Sequence, residues 1–505
     1  MQTDFLDFQT EKNIIHYFWN LYAQILMKKL LLFLFLFSQS LLIGQTILNS
    51  SVLNLNKPIE NGQLLSAENE RTHEVYVFAS DNKSITILKY NKSLFLANQF
   101  KDTIRVEKNK TLMGYSLNEN GNPTLYWESP SRKNLQIVQY NMETKTSKTS
   151  SFDFPANTGT VITSFQKNNK FYLLSKEKDQ EHFLLFEFSD EKCDVKLFDF
   201  SPFTFQNEKG QRLSFSALVQ YHYPIEKMDI GNFSPFDKTE KKSKMYVLNN
   251  RIVLTFDYNT KYTQAFDLNL NTKKVTEKIF EMPVTQLTAT TNSFFLENKL
   301  FQISSNTEQF LFGIQDFDSG KNIKTIAVSK NDSIGFKNSP LFLQINGEKP
   351  QILKTTSKFL KQLSTVNSAV SAFNNNGLTF ITLGGFASYQ SVGMSFNYGS
   401  NDSFNTIQSN SKMVFFDSYL NSDLEFIKNN QAEPLAIDNL HYFLSKTKNF
   451  TLENILKVKD FYILGYYDLP TKSYIMRKFT DGFMDEGTGN SIINRAEFSK
   501  SIPLK

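Results

Sequence analysis

The sequence is poor in the residue types on which many common sites depend. It has one cysteine, two tryptophans and five histidines in 505 residues. A single thiol cannot form an internal disulfide, so stability must come from burial of a core, which a chain of this length can supply. That thiol, Cys193, lies in the polar stretch DEKCDV. We therefore interpret it as an ordinary turn residue in preference to a nucleophile.

Common catalytic motifs are also missing. Neither G-x-S-x-G nor H-E-x-x-H occurs, so a nucleophile elbow and a zinc-binding helix are not supported. The histidines after residue 44 lie far apart, which is typical of surface or packing residues. We predict no catalytic residue, no metal and no cofactor. These scattered histidines are His73, His182, His222 and His441.

Two short segments partly match ligand-binding motifs. The stretch 316–320 (DFDSG) could offer oxygens to calcium, but it lacks the longer acidic loop of such sites, and a β-turn explains the same residues. The stretch 384–399 is rich in glycine and serine. No helix pattern follows it, so we do not expect a phosphate-binding loop. We expect a long, mobile loop instead.

Charge argues against a nucleic-acid partner. Lys and Arg number 55 and Asp and Glu number 50, a net charge of +5 spread over the chain. Nucleic-acid binding would need a basic face with interleaved aromatics. The densest lysine cluster, at 238–244, is predicted to be a solvated loop.

A targeting signal stands near the N-terminus. Met27, Lys28 and Lys29 precede a mostly apolar run at 30–43, followed by the small Gly44. This pattern is typical of a secretory signal peptide, and the run is too short to span a bilayer well. We predict a signal peptide at 27–44 and interpret residues 1–26 as upstream of the true start. The alternative is an uncleaved anchor with a cytoplasmic extension.

The rest of the chain repeats a strand–turn–strand pattern with few helical segments. Phe and Tyr are abundant, at 49 and 21, and both favour strands. Equivalent aromatics recur about every 50 residues, close to the period of a four-stranded propeller blade. We predict an all-β chain: one β-propeller over 45–505 with about seven four-stranded blades. Six or eight blades, or a row of β-sandwich domains, remain alternatives. The clearest hairpins are 75–79 with 84–90, 171–174 with 183–188, 251–256 with 264–270, and 300–303 with 310–314.

The first of these hairpins carries a family resemblance. Residues 75–91 (VYVFASDNKSITILKYN) resemble the strand–Asp-Asn–strand unit of bacterial YVTN/WD40-like propellers. The resemblance covers one blade and implies the propeller fold. The Trp-Asp signature is absent, because Trp127 is followed by Glu128. The Phe-, Asn- and Lys-rich composition resembles that of envelope proteins of Bacteroidota.

Two insertions, at about 203–244 and 386–411, interrupt the repeat, and both are predicted to be loops. Aromatic residues beside prolines or glycines suit a partner-binding surface. For the first insertion, folding back onto its own blade is an equal alternative. The polar tail after Phe479 is expected to close the ring with a strand or to be disordered. The predicted partner-binding residues are Tyr221, Tyr223, Phe233, Phe236, Phe386, Tyr389, Phe396 and Tyr398.

These features favour an exported, non-enzymatic propeller that binds a protein partner in the cell envelope. It would be periplasmic or associated with the outer membrane through that partner, for example as an accessory subunit of a secretion or biogenesis complex. The alternative is a glycan- or peptide-cleaving enzyme that uses paired carboxylates in the central funnel. A third hypothesis is a scaffold without a defined ligand.

Overall fold

The computed structural model describes Lys28 and residues 45–482, except 104–109, 130–133, 156–158, 191, 208, 223, 284–289, 376, 397–402, 429–433, 448 and 459–460. The predicted signal peptide and the tail from 483 onward lie outside the described residues. Among the described residues, no helix is both long and apolar enough to span a bilayer.

The described chain forms seven sheets of four or five strands, which are the blades of a β-propeller. The prediction of a propeller with about seven blades is confirmed. Blades 1, 2, 3 and 5 are four-stranded antiparallel meanders that run from the inner to the outer strand. Their strands are Gln63–Glu68, Val75–Ser80, Ser84–Tyr90 and Leu96–Thr103; Thr111–Leu117, Pro123–Glu128, Asn134–Asn141 and Thr146–Asp153; Thr160–Lys167, Lys170–Lys176, His182–Ser189 and Lys192–Asp199; and Thr290–Leu296, Lys299–Ser305, Gln309–Asp316 and Asn322–Ser329.

Blades 4 and 6 depart from this plan. Blade 4 has a fifth strand, Glu226–Met228, which pairs in parallel with its first regular strand. Blade 6 receives its two outer strands before its three inner ones. The regular strands of blade 4 are Ser243–Val247, Arg251–Phe256, Tyr262–Asn269 and Val275–Glu281, and those of blade 6, from the inside outward, are Asn367–Asn375, Leu378–Phe396, Ser403–Leu420, Leu341–Ile345 and Gln351–Leu353.

Short elements connect the blades. A two-stranded sheet, Phe205–Gln206 with Arg212–Leu213, precedes blade 4. One amphipathic helix packs on the outer strands of blade 6, and another packs on the two middle strands of blade 7. The helices are Pro58–Asn61, Phe215–Ala217, the π-helix Leu218–His222, Phe236–Thr239, Thr356–Leu363 and Ala436–Lys446.

The ring is closed by strands from opposite ends of the described chain. Blade 7 contains Phe450–Val458, Phe461–Asp468 and Ser473–Phe479, and its outermost strand is Gln45–Val52. Its inner strand meets that of blade 1, where the Ser66 backbone N–H donates to Asn454 Oδ1 at 3.1 Å. A segment from the N-terminal side thus fills the position for which the C-terminal tail was considered.

Aromatic residues fill the spaces between blades, which accounts for their abundance. Every residue of Val75–Ser80 is buried, whereas the outer strand Leu96–Thr103 is largely exposed. Tyr126 of blade 2 stacks on Phe171 of blade 3 with ring centroids 4.5 Å apart. Offset stacking of this kind adds stability beyond area burial.

The predicted Asn/Asp turns are formed by side chains that accept backbone N–H groups. Asn141 Oδ1 accepts from Glu143 and Thr144, and Asn269 Oδ1 accepts from Asn271 and Thr272. These contacts are Asx-type turns, in which the side chain replaces a backbone acceptor.

The stretch 316–320 is a turn of this type. Asp316 accepts from the N–H and hydroxyl of Ser319 and pairs with Lys299 at 2.8 Å. Within the described residues, no group of three or more His, Cys, Asp and Glu side chains could hold a metal.

Two expectations about loops are wrong. Residues 386–396 and 403–411, predicted to be loop, belong to the strands Leu378–Phe396 and Ser403–Leu420, which form one long hairpin. The lysine cluster at 238–244 is not simply solvated. Lys244 is fully buried and pairs with Asp257 at 3.0 Å, because its strand lies inside blade 4.

Candidate functional site

The first insertion folds inward and fills part of the channel at the centre of the ring. We call residues 224–241 the plug. Its strand Glu226–Met228 lies on the inner edge of blade 4, so it is closer to the axis than the regular strands. Further along, Phe233 contacts Phe373 of blade 6 with ring centroids 5.8 Å apart. The Ser371 hydroxyl donates to the Ser234 carbonyl at 2.6 Å.

The plug also reaches blade 7. Lys457 Nζ donates to the Gly231 carbonyl, and Phe233 belongs to one buried cluster with Tyr462 and Leu464. The helix Phe236–Thr239 packs against the two inner strands of blade 6. The segment therefore crosses from blade 4 to blades 6 and 7. Of the two alternatives for this insertion, folding back onto its own blade describes residues 226–228, and the rest of the plug packs on blades 6 and 7.

The structure separates the eight aromatics predicted to bind a partner. Phe233, Phe236 and Phe386 are buried in the packing between the plug and blades 6 and 7. Tyr389 is 52% exposed, at the base of the long hairpin. The geometry brings these four into no common surface. The side chains of Tyr221, Tyr223, Phe396 and Tyr398 lie outside the described part of the structure.

A cavity of about 840 Å³ remains in the channel beside the plug. Blades 1, 2, 3, 4 and 7 form its walls with the plug. This volume is within the range of small-molecule sites. Its apolar lining includes Leu65, Tyr115, Phe165, Met228, Ile230 and Leu456.

Tight turns hold the polar rim of this cavity in place. Asn168 and Asn169 have φ of 51° and 59°, as a two-residue hairpin turn requires. The Asn168 N–H donates to Glu70 Oε1 at 2.9 Å, and the Glu70 N–H donates to Asn169 Oδ1 at 3.0 Å. The first turn of blade 1 is thereby tied to the first turn of blade 3.

Two of the three cations that line the cavity are neutralised by carboxylates. Lys167 lies 3.6 Å from Glu70. Arg251 contacts Asp267 at 2.9 Å and Asp318 at 3.0 Å. These pairs fix the rim but leave little uncompensated charge on it.

The third cation is Lys227, on the plug strand. It makes no hydrogen bond or ion pair with any described residue, although Asp229 lies two positions on, along the same face. Burial lowers the pKa of Lys227, while the charge of Asp229 raises it and that of Lys238 lowers it. Sequence analysis missed this residue, because nothing in its local pattern indicates that a loop lysine enters the channel.

Carboxylates at the funnel, which the enzyme hypothesis requires, are Glu70 and Asp229. Glu70 is held by Asn168 and Lys167, and Asp229 Oδ1 accepts from the Gly231 N–H at 3.3 Å. Both carboxylates among the described lining residues therefore already have partners within the protein. Burial is the largest cause that raises the pKa of Cys193 to about 12, and the negative charges of Asp194 and Glu187 raise it further. A pKa this high disfavours the thiolate form that a nucleophile needs.

The described histidines do not converge. His73 contacts Glu68 at 2.8 Å in the first turn of blade 1, and His182 contacts Glu177 at 2.5 Å in blade 3. His441 lies in the helix Ala436–Lys446. The side chain of His222 lies outside the described part.

The long hairpin of blade 6 is a second candidate surface. Strand Asn367–Asn375 pairs with it only as far as Phe386, whereas the hairpin continues for ten further pairs, from Ala387↔Lys412 to Phe396↔Ser403. We call residues 387–396 and 403–410 the ribbon. Ten residues of strand extend about 34 Å. In the described structure, the outward edges of the ribbon pair with no other strand.

No known protein family and no curated protein matches the sequence. Solved structures that resemble the chain include the Dos1 propeller, at 10% identity and TM-score 0.25, covering 86% of this chain and 83% of that one. Dihydro-heme d1 dehydrogenase NirN has 10% identity and TM-score 0.27, covering 84% and 67%. Polysaccharide lyase Uly1 has 9% identity and TM-score 0.28, covering 84% and 91%. These likenesses are too weak to carry an argument about activity.

Proposed function

We propose that this chain is an exported, non-enzymatic β-propeller that binds a protein partner in the cell envelope. The ribbon is the observation that carries the proposal. Its backbone presents unpaired N–H and C=O groups along two edges, and such edges accept a further strand. The partner is an extended polypeptide segment that adds a strand to the ribbon.

The charge pattern of the chain supports this occupant. Proteins protect free strand edges with charged residues, and the outer strands of blades 1 to 5 all carry at least one. The ribbon carries none, and it has no proline. The outer strand of blade 7, Gln45–Val52, also lacks charge, but among the described strands the ribbon is the longer uncharged edge and is open on two sides. An uncharged partner strand with alternating apolar residues matches it, since a charged one would be desolvated without compensation.

This proposal includes the location predicted from the signal at 27–44. An accessory subunit of an outer-membrane secretion or biogenesis complex fits a rigid ring with one projecting arm.

The test is affinity purification from native membranes in mild detergent, with mass spectrometry of co-purifying proteins. One variant replaces residues 388–411 with Asn-Gly, which closes the hairpin at the paired Ala387 and Lys412. A second variant, Ser391→Lys with Ser409→Lys, keeps the ribbon and charges it. The matched control, Thr149→Lys with Ser151→Lys, adds the same charge to exposed positions of the outer strand of blade 2.

We expect the native chain and the control to retain a stoichiometric partner and both ribbon variants to lose it. Partner recovery by the ribbon variants at the native level would refute the role of the ribbon. If the native chain also purifies without a partner, the proposed binding function is wrong.

A further inference from the structure

The cavity beside the plug has the properties of a ligand site that is independent of the ribbon. Its volume of about 840 Å³ exceeds what a few ordered waters need and fits a small organic molecule. Most of its wall is aliphatic or aromatic, contributed by inner strands such as Gln63–Glu68 and Thr160–Lys167. A rigid wall of this kind binds the apolar body of a ligand at low entropic cost.

One polar group in this wall lacks a protein partner. Lys227 lines the cavity and contacts no described carboxylate or hydrogen-bond acceptor, while Lys167 and Arg251 are neutralised. Its backbone is fixed, because its strand pairs in parallel with Ser243–Val247 in the register Lys227↔Met245. A half-buried ammonium group that forms no ion pair, with Asp229 and Glu226 acting on it only from beyond ion-pair distance, is costly, and a bound anion would offset that cost.

We propose that this cavity binds an organic monocarboxylate with an apolar body, and that Lys227 is its counter-ion. The carboxylate accepts hydrogen bonds from the Lys227 ammonium group, and the aliphatic or aromatic body lies against Leu65, Phe165 and Leu456. The proposal does not depend on a partner at the ribbon.

The charges of the cavity select the class of ligand. Lys227 is the one cation among the described lining residues that forms no ion pair, and it balances one negative charge. A dianion such as a phosphate monoester would place its second charge near Glu70 and Asp229, and like charges at short range cost binding energy. A neutral ligand would leave Lys227 uncompensated.

The test is isothermal titration of the purified mature protein with octanoate and benzoate, alongside their neutral analogues methyl octanoate and benzamide. Thermal melting with each compound gives a second readout. The variants are Lys227→Met, which keeps the length of the side chain and removes its charge, and Lys227→Gln. The matched control is Lys324→Gln, which removes one charge from the outer strand of blade 5, where Lys324 pairs with Glu425 at 2.7 Å.

We expect at least one of the two acids to bind the native protein and the control with a Kd below about 1 mM, and to raise the melting temperature. Both Lys227 variants should weaken that binding by about tenfold or more, to the level of the neutral analogue. Equal binding of acid and neutral analogue, unchanged affinity in both variants, or no binding of either acid up to about 10 mM would each overturn the proposal.

Discussion

Lys244 and Asp257 form an ion pair that is completely excluded from solvent between blades 4 and 5. Burial by itself would raise the pKa of Asp257, but the charges of Lys244 and Lys242 and the hydrogen bonds from Lys244 and Thr263 outweigh it, so the pKa is lowered. Asp257 also accepts hydrogen bonds from the Ser293 N–H and hydroxyl and from the Thr263 hydroxyl. Oδ2 accepts from Lys244 and from both Ser293 groups, and Oδ1 accepts from Thr263, so both carboxylate oxygens are engaged.

Removing both members of this pair should cost less than the two single losses added together. We expect Lys244→Met or Asp257→Asn alone to lower the free energy of unfolding by about 3–5 kcal/mol, because each leaves a buried group without its partner. The double variant should lose less than the sum of the two, with a coupling of at least about 1 kcal/mol. Urea unfolding of the four proteins measures this.

The matched control is the exposed pair Lys330–Glu308, at 2.8 Å, for which single variants should cost under about 1 kcal/mol. If the buried single variants are as mild as these, or if the buried pair shows additive losses, the ion pair does not hold blades 4 and 5 together as described.

His441 makes stability depend on pH. Burial lowers the pKa of His441 from 6.5 to about 4, with Asp438 opposing the shift. The unfolded chain therefore takes up a proton before the folded one does, so this residue lowers stability as the pH falls from 6.5 to 4 and has no further effect below that. The full shift corresponds to at most about 3 kcal/mol.

The measurement is urea unfolding at pH 7, 5.5 and 4.5 for the native chain and His441→Gln, which does not titrate. We expect the native chain to lose about 2–3 kcal/mol more than the variant between pH 7 and 4.5. Parallel pH profiles would show that folding leaves the pKa of His441 unchanged, which would contradict its burial as the cause of the pH dependence.

At the scale of secondary-structure elements, the blade hairpins could be predicted because their determinants are local. Alternating aromatics and Asn or Asp turns lie within about 15 residues of each other, as in 75–90. The ribbon could not, because its Gly- and Ser-rich residues have little strand preference. It continues a register set by the buried pairs of blade 6, such as Leu383↔Phe416.

The plug and the cavity were beyond prediction for a related reason. Phe233 contacts Phe373, which lies 140 positions later in the sequence, and no local sequence pattern indicates such a contact. An aromatic beside a proline is compatible with both a surface and a core. For Lys227, alternation in EKMDI could have suggested a strand, but only the ring places that strand on the axis.

At the scale of the whole molecule, the ring depends on one strand contributed from its N-terminal side. Gln45–Val52 pairs with Ser473–Phe479 and covers an edge that would otherwise be open. Blade 7 in turn meets blade 1 through their inner strands, where Leu452 and Leu456 pack into the same cluster as Val75 and Val77. Removing this strand should therefore destabilise blade 7 and, through the contact between the inner strands, blade 1.

We expect deletion of residues 45–52 to lower the unfolding midpoint and to speed hydrogen exchange in blades 7 and 1, while blade 4, on the far side of the ring, changes least. A synthetic peptide of residues 45–53 should restore protection when added in trans, because it supplies the missing strand. The control is Ile47→Thr with Val52→Thr, at side chains that are 56% and 71% exposed, which should leave the midpoint nearly unchanged. Unaltered exchange in blade 1 after the deletion would mean that the blades are stabilised independently of closure, and failure of the peptide to bind would mean that the strand folds only as part of the chain.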